Sequence, residues 1–109
     1  MVPSADFVRS GQGSMAAKIY YKATRYTSAK LAGLFQASFP LYYKKYRKAF
    51  EAGVWEEEDT GPWIGRAIIW KLQVRIHRDG LDEGPVACFP CGRYTGAEMC
   101  LPDLDAKLR

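Results

Sequence analysis

The apolar residues in the first half of this 109-residue chain recur at helical spacing, and that periodicity constrains the fold more than any other feature. From Ser14, a residue type that caps helices, apolar side chains return every three or four positions up to Phe35. Pro40 cannot continue a helix and should divide it, and Gly53 suits a C-terminal stop. The sequence therefore predicts a kinked helical segment over residues 14–53.

A second helix is predicted over residues 60–78, with Thr60 as its cap and Pro62 in its first turn. The part "RAIIWKLQVRI" also alternates as a strand would, so a strand remains an alternative there. Residues 1–13 are small, polar and turn-forming, and they predict an extended arm. Residues 80–109 contain seven Gly and Pro and predict an irregular tail. The expected fold is mainly α, with two or three helices in an extended, non-compact arrangement.

Charge divides the chain into two halves. Residues 1–50 contain nine Lys and Arg against one acid, a net charge of +8, whereas residues 51–109 contain seven against eleven, a net charge of −4. Such polarity suits a protein whose ends meet different surroundings, for example anionic lipid or RNA at the basic end. The first thirty residues also have the basic, serine-containing composition of mitochondrial import sequences.

The stretch "KLAGLFQASFPLYYKKYRKAF" is a candidate for a helix that spans or lies on a membrane. Thirteen uncharged residues between Lys30 and Lys44 span only ~20 Å of helix, against a hydrocarbon core of ~30 Å. If Lys30 extends its charge toward the headgroups, the usable segment lengthens to residues 26–43. Both a spanning helix and a helix lying on the membrane remain open.

The basic run that follows has three interpretations: a solvated helix end, a membrane-interface anchor, or a surface that binds RNA phosphates and bases. The membrane-interface interpretation uses headgroup contacts by lysine and arginine with tyrosines in the boundary layer. Its candidate residues are Tyr42, Tyr43, Lys44, Lys45, Tyr46, Arg47 and Lys48.

Small residues at intervals of four suggest close packing of helices. Ala29, Gly33 and Ala37 form one such stripe, and Gly61 and Gly65 form a second pair. Stripes of this kind let helix backbones approach in membranes, although they also arise by chance and in soluble helix packing. We expect Gly33 to lie at a contact with a helix of another subunit.

Catalytic motifs are missing from the sequence. His77 is the single histidine, and there is no nucleophile elbow, phosphate loop or dinucleotide fingerprint. The acidic run "EEED" at 56–59 is typical of a solvated loop. We therefore expect no catalytic residues and no cofactor.

Cysteines are confined to the tail. Cys88 and Cys91 have CxxC spacing, and His77 and Cys100 could complete a Cys3His zinc site, although these intervals match no standard finger. A disulfide involving Cys88 or Cys91 and plain free thiols are the other possibilities. We expect these residues to bind no zinc.

Two stretches resemble small subunits of the mitochondrial ATP synthase. The segment "GLFQASFPLYYKKYRKAFEAG", residues 33–53, resembles the Phe-Gln and Tyr-Tyr-x-Lys-Tyr pattern of subunit f. The segment "GPWIGRAII", residues 61–69, is similar to the Gly-x-x-x-Gly-Arg/Lys motif of subunit g. The resemblance implies a class of small, non-catalytic accessory subunits that pack beside the proton-conducting region and support dimer formation.

The sequence thus leads us to expect a structural accessory subunit of a mitochondrial inner-membrane respiratory or ATP synthase complex. Its partners would be other subunits and lipid headgroups, with no nucleic acid. The alternative is a small basic mitochondrial ribosomal or RNA-binding protein that uses Arg25 and the basic run on phosphates. A net charge of only +4 favours the first.

Overall fold

A long helix dominates the part of the chain that the computed structural model describes, which is residues 5–69, 73–78, 80 and 83–108. One turn of helix, α1 (Ala5–Val8), precedes α2 (Gly11–Ser38). The Ser10 hydroxyl caps α2 by accepting a hydrogen bond from the Gly13 N–H at 3.0 Å. The helix therefore begins one turn before the cap predicted at Ser14, because Ser10 offers the same capping oxygen.

The predicted extended arm is consequently wrong for residues 5–13, which are mostly helical, and its first four residues lie outside the described part. Gly11 and Gly13 did not prevent helix formation. Both fall in the first turn, where backbone N–H groups have no partner within the helix and capping matters more than propensity.

The chain bends at Pro40, as predicted. α2 ends at Ser38, Phe39 adopts a non-helical backbone, and α3 (Pro40–Glu51) begins with Pro40 in its first turn. The two helices pack together, since the rings of Phe35 and Tyr46 lie 5.2 Å apart. α3 ends immediately before Ala52 and Gly53, which confirms the predicted stop.

The helix predicted over residues 60–78 is wrong for its described residues, 60–69 and 73–78, which are neither helix nor strand. Gly61 has a φ of 62° and donates its N–H to Asp59 Oδ1 at 3.0 Å, so the chain turns where a helix was expected to start. Pro62 is buried in this turn. Contacts with α2 therefore determine the conformation here, in place of the local capping signals. Residues 70–72 lie outside the described part.

The tail is not wholly irregular. Strands β1 (Met99–Leu101) and β2 (Ala106–Leu108) form an antiparallel hairpin, with Met99 opposite Leu108 and Leu101 opposite Ala106. A 3-10 turn (Pro102–Leu104) joins them, followed by Asp105 in the left-handed region at a φ of 47°. Pro and Asp are turn formers, so the residues that suggested irregularity close a hairpin instead.

The fold is mainly helical and non-compact, as the sequence predicted. The Cα radius of gyration is 15.5 Å, whereas a compact chain of this length would have about 13 Å. The accessible surface is 9508 Å², whereas a compact protein of this mass would expose about 6,100 Å². Much of the chain's surface is therefore available to other molecules.

Candidate interaction surface

α2 has an inner face that the rest of the chain covers. Its positions follow alternating steps of four and three, so they form one stripe along the helix. Ala17, Tyr21, Ser28 and Phe35 are buried, and Thr24 and Leu31 lie between them and are half-buried. The segment 54–66 runs over this stripe, and near its start the ring of Trp55 meets that of Tyr21 edge-on at 5.7 Å.

A polar centre joins segment 54–66 to the inner face. The Arg66 guanidinium forms an ion pair with Asp59 and donates a hydrogen bond to Ser28 Oγ at 2.9 Å. It also lies 4.7 Å from the centre of the Tyr21 ring. The Asp59 side chain is only 6% exposed and that of Arg66 18%. Each charge is therefore compensated within the chain, as burial requires.

Tyr21 responds to this environment. Burial and the nearby Asp59 carboxylate raise the pKa of its phenol, and the Arg66 guanidinium partly offsets this rise. Both dominant causes disfavour the phenolate, because burial removes water and Asp59 adds a like charge. Tyr21 therefore serves as a neutral aromatic beneath Arg66.

Aromatic side chains close the other end of the inner face. Phe35 stacks on Trp63 with ring centres 5.1 Å apart, and the rings of Phe39, Tyr43 and Tyr46 surround it at 5.2 to 6.2 Å. Trp63 Nε1 donates a hydrogen bond to the Pro85 carbonyl at 3.4 Å. This cluster holds α2, α3 and two coil segments together.

The opposite side of α2, here called the outer face, is exposed along its length. Met15 and Ile19 are each 60% exposed and Tyr26 is 72% exposed. The remaining positions of this face are Lys22, Ala29, Lys30, Gly33 and Ala37. The Lys30 ammonium lies 4.8 Å from the centre of the Tyr26 ring. The face is apolar except for two lysines.

The predicted packing residues fall into two groups. Ala29, Gly33 and Ala37 do share the outer face, and a Cβ added at Gly33 would meet nothing within 4 Å. Their contact with another subunit stays a prediction. Gly61 and Gly65 are not on a helix: Gly61 packs on the Phe50 ring at a positive φ, and Gly65 is exposed in coil. For that pair the predicted helix-packing role is wrong.

The predicted membrane-interface residues separate onto two sides of α3. Tyr43 and Tyr46 turn inward and pack on Phe35. Lys44, Lys45 and Lys48 are exposed, together with Leu41 and Tyr42. Tyr43 and Tyr46 thus lie on a different side of α3 from the exposed lysines, because helical spacing separates them, whereas Tyr42 shares the exposed side. Two of the three tyrosines serve the core.

Several basic residues of this region are paired within the chain. Arg47 Nε contacts Glu51 at 2.7 Å and its Nη1 donates to the Thr60 carbonyl at 2.8 Å. Lys45 Nζ lies 2.9 Å from Glu83. This hydrogen-bonded contact raises the pKa of Lys45 and lowers that of Glu83, although both side chains are exposed. Arg25 pairs with Glu58 at 3.3 Å.

The zinc candidates are not assembled. Cys88, Cys91 and Cys100 are free thiols and exposed. The exposed His77 ring places Nδ1 2.8 Å from the Arg75 carbonyl. Within the described residues, no three His, Cys, Asp or Glu side chains form a group that could hold a metal ion. That these residues bind no zinc stays a prediction.

A shallow apolar groove adjoins the outer face. Its volume is about 190 Å³, and Leu31, Leu34, Phe35, Phe39, Trp63 and segment 85–87 form most of its wall. Ser38 is its one polar side chain. Leu34, which is 65% exposed, comes four residues after Lys30 and three before Ala37, so it neighbours both on the helix surface. The groove and the outer face are therefore continuous.

No helix among the described residues has the length and hydropathy needed to cross a bilayer. Comparison with models of known protein families, with curated proteins and with solved structures gave no match to this chain. The residues themselves must therefore support any functional proposal.

Asp59 and Arg66 are the important residues that the sequence did not reveal. The run "EEED" predicted a solvated loop, and Glu57 is indeed exposed, but the Asp59 side chain is only 6% exposed and pairs with Arg66. A sequence signal did exist: an Asp-Thr-Gly-Pro turn followed by a single arginine among apolar residues offers one acid and one base for mutual burial.

Proposed function

We propose that this protein is a non-catalytic structural accessory subunit of a mitochondrial inner-membrane respiratory or ATP synthase complex. The observation that carries the proposal is the excess of exposed surface. The chain exposes 9508 Å², roughly 3,400 Å² more than a compact protein of its mass. Obligate interfaces bury about 2,000–5,000 Å² counted over both partners, which is roughly 1,000–2,500 Å² on each. The excess on this one chain is therefore large enough for at least one obligate interface.

The distribution of apolar side chains supports the same proposal. Ala17, Tyr21, Phe35 and Phe50 are the buried apolar core residues of the described chain, while large hydrophobic side chains remain exposed along α2 and the tail. Contiguous exposed apolar surface marks sites of interaction. The mitochondrial membrane setting comes from the sequence resemblance of residues 33–53 to subunit f of the ATP synthase. The resemblance of residues 61–69 to a membrane-helix motif adds no support, because Gly61 and Gly65 lie in coil.

A non-catalytic role agrees with the chemistry of the polar centre. Arg66 bonds to both Asp59 and Ser28, so the guanidinium is engaged within the chain. The groove beside α2 has an apolar lining with only Ser38 as a polar side chain. An active site needs convergent titratable groups that face a substrate cavity.

The alternative, binding to ribosomal RNA, finds less support in the same geometry. Tyr43 and Tyr46 face the core and offer no stacking platform for bases. Arg25, Lys45 and Arg47 are each engaged by an acid of the chain. Lys44 and Lys48 remain as exposed cations of the basic run.

Native gel electrophoresis of gently solubilised mitochondria, with the chain tagged at its C-terminus, tests the proposal. We expect the chain to migrate in a large membrane-derived assembly that ribonuclease does not alter. Migration as a free monomer would contradict the proposal. An assembly that ribonuclease disperses would support the ribosomal alternative instead.

A further inference from the structure

The outer face of α2 also indicates the chemistry of its partner. This face is apolar at Met15, Ile19 and Tyr26, and Lys22 and Lys30 border it. Residues 11–38 contain four Lys and Arg and no Asp or Glu. Among the described residues, no acid pairs with Lys22 or Lys30. The surface is therefore apolar with two positive charges.

This charge pattern distinguishes among possible occupants. A second copy of the chain would bring two helices without acids face to face, and like charges across an interface oppose binding. A helix with acidic residues beside an apolar stripe would complement both features. The length also suits a helix, because Met15 to Ala37 covers 22 steps, ~33 Å of helix axis.

The adjoining groove adds a shape requirement. Its volume of about 190 Å³ is below the ~300–1,000 Å³ of sites for small molecules. Its lining contains no charged side chain. A single large apolar side chain from a partner suits such a space, since buried aromatic or aliphatic anchors dominate the energetics of interfaces.

We infer, on the basis of the proposed function, that the outer face of α2 binds an amphipathic helix of another protein subunit. That helix carries Asp or Glu beside its apolar stripe, opposite Lys22 and Lys30. One of its large apolar side chains enters the groove beside Leu34. The partner's helix thereby covers the apolar outer face that the chain's own segment 54–66 leaves exposed.

Site-specific photocrosslinking in the native assembly identifies the occupant. A photoreactive phenylalanine analogue replaces Tyr26, and mass spectrometry then sequences the crosslinked peptide. We expect a protein segment with helical apolar spacing and at least one acid adjacent to it. Crosslinks to lipid, to RNA, to a second copy of this chain, or to a segment without acids would overturn the inference.

Charge reversal tests the electrostatic part. The double variant Lys22→Glu/Lys30→Glu should reduce the chain's recovery in its assembly by about tenfold or more, since each new glutamate faces a partner acid. The matched control is Arg75→Glu/Arg93→Glu, which makes the same change in net charge at exposed coil residues outside the outer face, the groove and the basic run. Equal recovery of both variants, or loss only for the coil pair, would contradict the inference.

Filling the groove tests the anchor. Ala87→Phe adds a ring at the groove wall without altering α2, and it should lower recovery several-fold. Val74→Phe, at an exposed coil residue outside the groove, should leave recovery unchanged. Circular dichroism of each free variant confirms that the helices persist. Normal recovery of Ala87→Phe would overturn the anchor.

The outcomes separate the two proposals. If the wild-type chain is found in no assembly, the accessory-subunit proposal and the inference both fail. If the wild-type chain assembles and the outer-face variants assemble equally well, the accessory-subunit proposal stands and the partner helix is wrong.

Discussion

The two faces of α2 differ in how far the rest of the chain covers their side chains. The inner face carries Tyr21, Ser28 and Phe35, and the chain covers it with aromatic rings and the Asp59–Arg66 pair. The outer face carries Met15, Ile19 and Tyr26, and these remain exposed. Helical spacing alone produced both stripes. Exposure therefore separates the stripe that serves the fold from the stripe that we propose as a binding surface.

The largest expected effect is the loss of an inner-face ring. Phe35→Ala should destabilise the free chain by about 3–5 kcal/mol, because the ring is buried among four other aromatics. Leu34→Ala, one residue along and 65% exposed, should change the stability of the free chain by about 0.5 kcal/mol or less. Urea unfolding followed by circular dichroism measures both. Similar losses of stability for the two variants would show that the covered and exposed sides of α2 contribute equally to the fold.

Removal of the Asp59 side chain should cause the next largest loss of stability. Asp59→Ala leaves the half-buried Arg66 guanidinium, whose side chain is 18% exposed, without its counterion, which we expect to cost about 1–3 kcal/mol. Glu57→Ala, on an exposed residue of the same loop, is the matched control and should cost little. Hydrogen exchange should show loss of protection around Ser28 in the first variant only. Unchanged protection in Asp59→Ala would mean that the ion pair does not hold the segment.

Gly33→Leu should stabilise the free chain and weaken its binding in the assembly. In the free chain it has room, since nothing lies within 4 Å of an added Cβ, and better helix propensity should stabilise by about 0.5–1 kcal/mol. In the assembly the added side chain should hinder the partner's approach. Thermal unfolding and native-gel recovery measure the two effects. Normal assembly of Gly33→Leu would show that Gly33 does not lie at the interface.

The smallest effect concerns pH. The pKa of Tyr21 is raised above its ordinary 10.0 in the folded chain, so the neutral phenol favours folding. That contribution is fully present below pH 10 and is lost as pH rises through the folded pKa. Tyr21→Phe should therefore flatten the decline in stability above pH 10. An identical alkaline decline in both proteins would show that Tyr21 does not cause it.

The helical half of the fold was predictable because its signals are local. Periodicity located α2 and α3, Pro40 located the bend, and Gly53 located the stop. The prediction of a helix over residues 60–78 failed because Thr60 and Pro62 give a valid local cap, whereas Arg66 donates a hydrogen bond to Ser28, 38 residues earlier in the chain. No local pattern encodes such a distant contact.

The candidate surface was predictable in part. The spacing of Ala29, Gly33 and Ala37 located the exposed face, but it did not reveal that Tyr43 and Tyr46 would turn inward. Alternating aromatic and basic residues look like one surface in sequence. The packing of Phe35 against α3 determines which of these residues face the core, namely Tyr43 and Tyr46.

Oxidative footprinting measures the exposure of both faces of α2 in one experiment. Hydroxyl radicals label exposed Met and Tyr side chains, and mass spectrometry compares the free chain with the native assembly. We predict strong labelling of Met15 and Tyr26 in the free chain, strong protection of both in the assembly, and little labelling of Tyr21 in either state. Equal labelling of Met15 and Tyr26 in the two states would contradict the account.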